Sequence, residues 1–177
     1  MSLLVAFDIS TKALTGCVVP LEPTPYPFSQ PRYFDHGLPT FKTGTTTPQL
    51  KSIERCRAVK AWRFSDTIDI PGRCEVVAIE EPFGAYKGNE LREVYGALIS
   101  SVPSWAHVIP MTAQQWRRKL WSIAGTKGAV DKEGGRAALR AIDCDGYAMP
   151  EDEHECDALG LALAVRSQWW SDQAGMA

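Results

Sequence analysis

Two short stretches of this chain are apolar almost without interruption, and each runs into a carboxylate. Leu3-Leu4-Val5-Ala6-Phe7 leads to Asp8, and Val76-Val77-Ala78-Ile79, within Cys74–Glu80, leads to Glu80. Neither stretch alternates polar with apolar. Strands of that kind are buried on both faces, so the sheet holding them needs a packed layer on each side. The rest of the chain supplies those layers. After a turn at Ile9–Lys12, Leu14–Pro20 reads as the returning strand of an antiparallel hairpin. A Pro- and Thr-rich insertion or long loop spans about 21–48 and holds a short strand near Tyr33–Thr43. Gln49–Phe64 reads as a helix opened by Pro48, with Leu50, Ile53, Ala61 and Trp62 among basic residues. Asn89–Val102 places Leu91, Val94, Tyr95, Leu98, Ile99 and Val102 at helical spacing, and Ala106–Met111 is a third short buried strand. Thr112 and Asp131 are N-caps for helices over Ala113–Trp121 and up to about Ile142. A last helix runs from about Glu153 to Trp169, with Ala158, Leu161, Ala162 and Val165 as its apolar stripe. The expected fold is α/β: a mixed sheet, an antiparallel hairpin plus parallel strands, covered by helices on both faces. A chain of 177 residues suits one such domain over 1–177.

Composition narrows the class. Apolar residues make up 45% and charged residues 23%, as in ordinary globular proteins. No apolar run reaches the ~18–20 residues that span a bilayer, and the N-terminus meets Asp8 too early for a signal peptide. A cytoplasmic location without membrane association is expected. The five cysteines, Cys17, Cys56, Cys74, Cys144 and Cys156, form no CxxC, so reduced thiols are expected and a zinc site is not. The formal charge of −2 gives no global attraction to polyanions. Basic residues are nevertheless grouped at Lys51, Arg55, Arg57, Lys60 and Arg63, at Arg117-Arg118-Lys119, and at Lys127, Lys132, Arg136 and Arg140. Acids gather at Glu80-Glu81 and over 151–157. Each basic group can be a solvated helix face, or part of a polyanion-binding surface around an acidic focus.

In open α/β sheets ligands bind beyond the carboxyl ends of the strands, where Asp8 and Glu80 stand. In the last helix Glu153 and Asp157 are four residues apart, and His154 and Asp157 three, which puts them on one face. A carboxylate one turn into an apolar helix is costly to bury unless it is paired or binds metal. Each residue also has a plain structural reading. Asp8 can close a turn, Glu80 can be a salt-bridge partner at a strand end while Glu81 is only its solvated neighbour, and His154 can be a surface residue. Glu153 and Asp157 can complement a helix dipole. Acids from three separate elements share one economical explanation, convergence on divalent cations. Two such ions about 3.5–4 Å apart can activate a water and stabilise the leaving oxygen in phosphodiester hydrolysis.

Val5-Ala6-Phe7-Asp8-Ile9-Ser10-Thr11-Lys12-Ala13-Leu14-Thr15-Gly16 resembles the first motif of the RuvC-type Holliday-junction resolvases, with Ile9-Ser10 where Pro-Gly is commoner. Val77-Ala78-Ile79-Glu80-Glu81-Pro82-Phe83 resembles their second motif, and His154-Glu155-Cys156-Asp157-Ala158-Leu159-Gly160-Leu161-Ala162 their closing motif. Met111–Trp121 resembles the segment after the fourth strand, and the ordered set covers nearly the whole chain. The resemblance implies an RNase H-like fold and a homodimer that nicks opposed strands of four-way DNA junctions with Mg²⁺ or Mn²⁺, two ions per site. It implies metal ligation by Asp8, Glu80 and Asp157, with His154 as a further ligand or proton-transfer group and Glu153 and Glu81 as possible accessories. Phe83, Tyr86 and Lys87 would lie beside the site, an aromatic there stacking on bases at the crossover. Arg117, Arg118, Lys119, Lys127 and Lys132 are candidates for phosphate contacts. Three other readings stay open: a nuclease of the same fold acting on flaps or RNA, a non-catalytic branched-DNA-binding module, and an ATP-binding domain suggested by Asp8-Ile9-Ser10-Thr11.

Overall fold

The computed structural model describes residues 2–10, 12–22, 30–41, 47–61, 73–82, 88–142 and 149–175. Its elements, in chain order, are β1 (Ser2–Ile9), β2 (Ala13–Pro20), β3 (Arg32–Gly37), α1 (Pro48–Ala61), β4 (Arg73–Glu81), α2 (Gly88–Ser101), β5 (His107–Thr112), α3 (Ala113–Ile123), α4 (Lys132–Ala141) and α5 (Glu153–Gly175). Most bounds fall within a few residues of the sequence expectation. The third strand is shorter, ending at Gly37 rather than Thr43, and the last helix runs past Trp169 to Gly175.

The five strands form one sheet in the order β3-β2-β1-β4-β5. β1 lies at its centre, antiparallel to β2 and parallel to β4, and β5 continues parallel to β4. Leu3, Leu4, Val5, Ala6 and Phe7 are all at most 1% exposed, as expected of a strand covered on both sides. Alternation divides them between two cores. Leu3, Val5, Phe7 and Ile9 join Val77 and Ile79 against Val59 of α1 and Val94 and Leu98 of α2. Leu4 and Ala6 join Val76 and Ala78 against Trp116 and Leu120 of α3, Leu139 of α4 and the buried stretch of α5. Helices therefore cover both faces, as the sequence implied.

Parallel pairing of β1 with β4 contains a shift. Leu3 pairs with Cys74, but Leu4 pairs with Val76, so Glu75 is the extra residue of a bulge. Beyond it the register runs to Phe7 with Ile79, and Asp8 and Glu80 follow as neighbours. Without that extra residue, Glu80 would face the opposite side of the sheet from Asp8, because a one-residue slip inverts every side chain beyond it.

Two helices differ from their sequence pattern. α5 is buried around its whole circumference from Cys156 to Val165, not along one stripe. The reason is that it is wedged between β1 and β2 on one side and α3 and α4 on the other. α1 exposes Leu50 and Ile53, each 47% accessible, and buries Ser52, Arg55 and Val59. Arg55 is paired with Glu90 of α2, so it serves helix packing and is not part of a solvated basic face. The Arg55–Glu90 pair joins α1 to α2 beside the apolar contact of Val59, while Leu50 and Ile53 stay outside that core. Trp62, Arg63 and Cys144 lie outside the described residues. Cys17, Cys56, Cys74 and Cys156 are free thiols, and no described helix is long and apolar enough to cross a membrane.

On the hairpin, Gly16 pairs with Phe34, and the Phe34 ring lies over it; a Cβ at position 16 would stand 2.0 Å from Cζ of that ring. Phe34 in turn meets Phe7 edge to face, with centroids 5.6 Å apart. Gly16→Ala should therefore destabilise the protein by about 1–3 kcal/mol through overpacking. Urea denaturation checks this, with an unchanged midpoint being the contrary result.

Candidate active site

Strand alternation brings the first two carboxylates together. Asp8 continues the series Leu4, Ala6 and Glu80 continues Val76, Ala78, so both point to the side of the sheet covered by α3, α4 and α5. α5 supplies Asp157 from above. All three are withdrawn from water: Asp8 is 9% and Asp157 5% exposed, and Glu80 is half-buried. The side chains of Asp8, Glu80 and Asp157 thus converge from two adjacent strand ends and one helix.

Each carboxylate meets a donor. His154 donates from Nδ1 to Asp8 Oδ2 over 2.6 Å. Trp116 donates from Nε1 to Glu80 Oε2 over 2.8 Å. Arg117 places Nη2 3.6 Å from Asp157 Oδ2, with its guanidinium 4.7 Å from the centroid of the Trp116 ring. The Arg117 side chain is only 12% exposed, and its Nε is buried without a hydrogen-bond partner among the described residues. α3 carries Trp116 and Arg117 to this point because its start is fixed. Thr112 caps the backbone N–H of Gln115, and the Gln115 side chain accepts from the Thr112 backbone N–H, a capping box.

Burial and mutual repulsion set the charge state. Burial pushes Glu80 up to about 7; Trp116 opposes this, and the neighbouring charges of Asp8 and Asp157 add to it. Burial, followed by the charge of Asp8, raises Asp157 to about 6 against the pull of Arg117, Lys132 and Arg136. Asp8 is also raised by burial, with His154 opposing. For His154, burial favours the neutral ring, but the hydrogen bond and charge of Asp8 outweigh it and the net shift is upward. Burial raises all three carboxylates, and the charge of Asp8 adds to the rise of both Glu80 and Asp157, so the site is short of positive charge.

The other candidates are placed differently. Glu153 is exposed and paired with Lys132 Nζ at 3.1 Å and Arg136 Nη2 at 3.0 Å, so it ties α5 to α4. Glu81, one residue past Glu80, is exposed on the side of Tyr95, across the sheet from Asp8. Arg118 and Lys127 are exposed and Lys119 is half-buried. Lys132 is paired to Glu153 but close enough to bias Asp8 and Asp157. Phe83, Tyr86 and Lys87 lie outside the described residues. Sequence reading missed Trp116 as a site residue, because nothing local to α3 links it to Glu80, 36 residues away. A cleft of about 610 Å³ opens beside His154, lined by Lys12, Thr15, Asp35, Asp152 and Glu155.

The donor set can be compared with what a cation needs. Among the described residues, no three His, Cys, Asp or Glu side chains are grouped as a formed metal site. In this arrangement one oxygen of each carboxylate is turned to His154, Trp116 or Arg117. The chemistry of the set nonetheless fits a hard divalent ion: three carboxylates and one imidazole, partly desolvated and mutually repelling. Cys156, next to Asp157 in sequence, points its Sγ to the Pro150 carbonyl 3.3 Å away.

No family model matches the chain, and no curated protein matches it. Solved structures do. The chain is similar to the Thermus thermophilus RuvC structure, with a TM-score of 0.62 and 22% identity over 96% of each chain. It is also similar to T. thermophilus RuvC in complex with Holliday junction substrate, with a TM-score of 0.56 and 24% identity over 94% of this chain and 96% of that one. The fold is thus the RNase H-like fold of RuvC, in agreement with the resemblance carried by the three sequence motifs.

The raised pKa values give a direction to the pH dependence of stability. A carboxyl whose folded pKa exceeds its unfolded value stabilises the fold at low pH, and that contribution is lost as pH rises through the folded value. Glu80 acts so between 4.5 and about 7, and Asp157 between 3.8 and about 6. The raised His154 acts in the same direction. In EDTA, the melting temperature should fall by roughly 5 °C or more from pH 5 to pH 8, and Glu80→Gln should flatten the fall. Thermal denaturation of both proteins at the two pH values checks this; equal slopes would contradict the assignment.

Proposed function

We propose that this chain is a divalent-metal-dependent, structure-selective endonuclease that resolves four-way DNA junctions. The three desolvated carboxylates Asp8, Glu80 and Asp157, near enough for the charge of Asp8 to raise the other two, carry the reading. The fold shared with RuvC supports the substrate, since one of those structures holds a Holliday junction.

In this reading Asp8, Glu80 and Asp157 hold Mg²⁺ or Mn²⁺, two ions per site, with His154 as a further ligand or proton carrier. Bound divalent ions supply Lewis-acid stabilisation of charge on the phosphodiester and lower the pKa of attacking water. The chain's own groups do the rest. His154, held at Nδ1 by Asp8, keeps its ring in one orientation and can hold a proton at the pocket edge. Arg117, with Nη2 close to Asp157, offers positive charge beside the carboxylates for a phosphate that approaches them. Burial of the pocket strengthens these interactions relative to water. Arg118 and Lys119 of α3, and Lys127 in the loop after it, would contact the phosphates of the junction arms, and a homodimer would pair two such sites on opposed strands.

Cleavage of a synthetic immobile junction, beside linear duplex, flap and RNA hairpin, tests this in Mg²⁺ and then Mn²⁺. Paired symmetric nicks are expected, and Asp157→Asn should reduce them by at least ~100-fold, the upper range for loss of a mere outer-shell partner. Cutting of flaps or RNA alone would overturn the substrate, and metal binding without any cutting would favour a binding module.

Charge neutralisation gives a second test. Replacing Arg118, Lys119 and Lys127 together with Gln should reduce the slope of log affinity against log salt for junction binding by about 2–3, at ~0.9 per phosphate contact. Filter binding across a salt series measures it, and an unchanged slope would remove these residues from the interface.

A further inference from the structure

Trp116 is the largest fully buried side chain among the described residues, yet its only polar side-chain atom is directed at the Glu80 carboxylate. Its Nε1–H donates to Glu80 Oε2 over 2.8 Å. The ring reaches that point because α5 has no side chain in its path. A Cβ at Gly160 would stand 2.7 Å from Cζ3 of Trp116. Gly160 follows Asp157 by three residues, so the gap that admits the indole lies on the same side of α5 as the Asp157 carboxylate. Trp116 also carries the Arg117 guanidinium over its ring, 4.7 Å from the centroid. One residue therefore touches the supports of both Glu80 and Asp157.

The chemistry of the contact is specific. An indole N–H donates and cannot accept, and it carries no charge. It can fix the orientation of a carboxylate without competing with a cation for the negative charge, as the guanidinium of Arg117 does at Asp157. It holds Oε2 and leaves Oε1 of Glu80 without a protein donor among the described contacts. Filling the core needs only an apolar ring system; the N–H is what a purely apolar side chain would lack.

Resting on the reading of Asp8, Glu80 and Asp157 as metal ligands, we propose that Trp116 is a positioning residue whose indole N–H orients the Glu80 carboxylate for the divalent cation, in a slot opened by Gly160. It acts through Glu80 and has no contact with the reacting atoms. Groups that orient first-shell ligands typically contribute ~10–100-fold to metal affinity.

The test is Mg²⁺ binding to the full chain, wild type and Trp116→Phe, by isothermal titration in metal-free buffer at one pH. It is joined to the ¹H–¹⁵N spectrum of the wild-type indoles, with the Trp116 signal assigned from its NOEs. Binding should weaken about tenfold or more in Trp116→Phe. In the wild type the Trp116 indole signal should shift on saturation with Mg²⁺, and Glu80→Gln should abolish that shift. A merely structural tryptophan would change the melting temperature and leave both of these unmoved. Wild-type Mg²⁺ affinity in a folded Trp116→Phe protein would overturn the positioning role and leave the metal site standing. An indole signal unmoved by Mg²⁺, while the His154 and Asp157 amides shift, would overturn it even if Trp116→Phe failed to fold. Absence of any Mg²⁺ binding by the wild type would remove the metal site, and this role with it.

Discussion

The parallel pairing of β1 with β4 is the constraint on which the rest of the structure depends. It sets Asp8 beside Glu80 at the ends of two buried strands, on the side of the sheet where α5 delivers Asp157. The extra residue at Glu75 is part of that constraint. Cys74 faces one core with Leu3, while Val76 faces the other with Leu4, and only past this shift do Glu80 and Asp8 share a side. Burial on both faces locks the register, since a slip by one residue would carry Glu80 into the apolar contacts of α1 and α2.

Gathering three carboxylates in this place works against stability. Each loses hydration, and the charges repel, so Glu80 and Asp157 rise to about 7 and 6. The protein answers with three donors of different kinds. His154 is titratable, Arg117 is permanently charged, and Trp116 is neutral. All three come from helices on one face, and two are consecutive residues of α3. The capping box at Thr112 and Gln115 therefore matters to the site, because it fixes where α3 starts and so where residues 116 and 117 point. A site that is charge-deficient by construction is a common mark of function, since a purely structural core would exclude such groups.

α5 shows how local pattern and tertiary setting can diverge. Its sequence reads as an amphipathic helix with a stripe at Ala158, Leu161, Ala162 and Val165, but ten consecutive residues from Cys156 to Val165 are buried. Small residues make this possible: Ala158, Gly160, Ala162 and Ala164 let neighbouring elements approach closely, and Gly160 admits Trp116. α1 diverges in the other direction, exposing Leu50 and Ile53 while burying Arg55 against Glu90. Neither outcome is encoded in the period of one helix; each depends on what lies across from it.

By itself the sequence determined the element order, the mixed sheet with helices on both faces, the helix caps at Thr112 and Asp131, and the acids at strand ends. Those features are local: apolar runs, capping residues and strand termini are governed by neighbours in the chain. It also offered Glu81 and Glu153 as possible accessories to Asp8, Glu80 and Asp157, and the basic groups as candidate phosphate contacts. Only the tertiary structure separated them. Alternation sends Glu81 to the far side of the sheet, α4 takes Glu153 into ion pairs with Lys132 and Arg136, and α3 delivers Trp116 and Arg117 to the carboxylates. The physical reason is that charge partners are chosen by distance in space. The pairs that settle the site, His154 with Asp8 and Trp116 with Glu80, join residues 146 and 36 positions apart, beyond the reach of any local pattern.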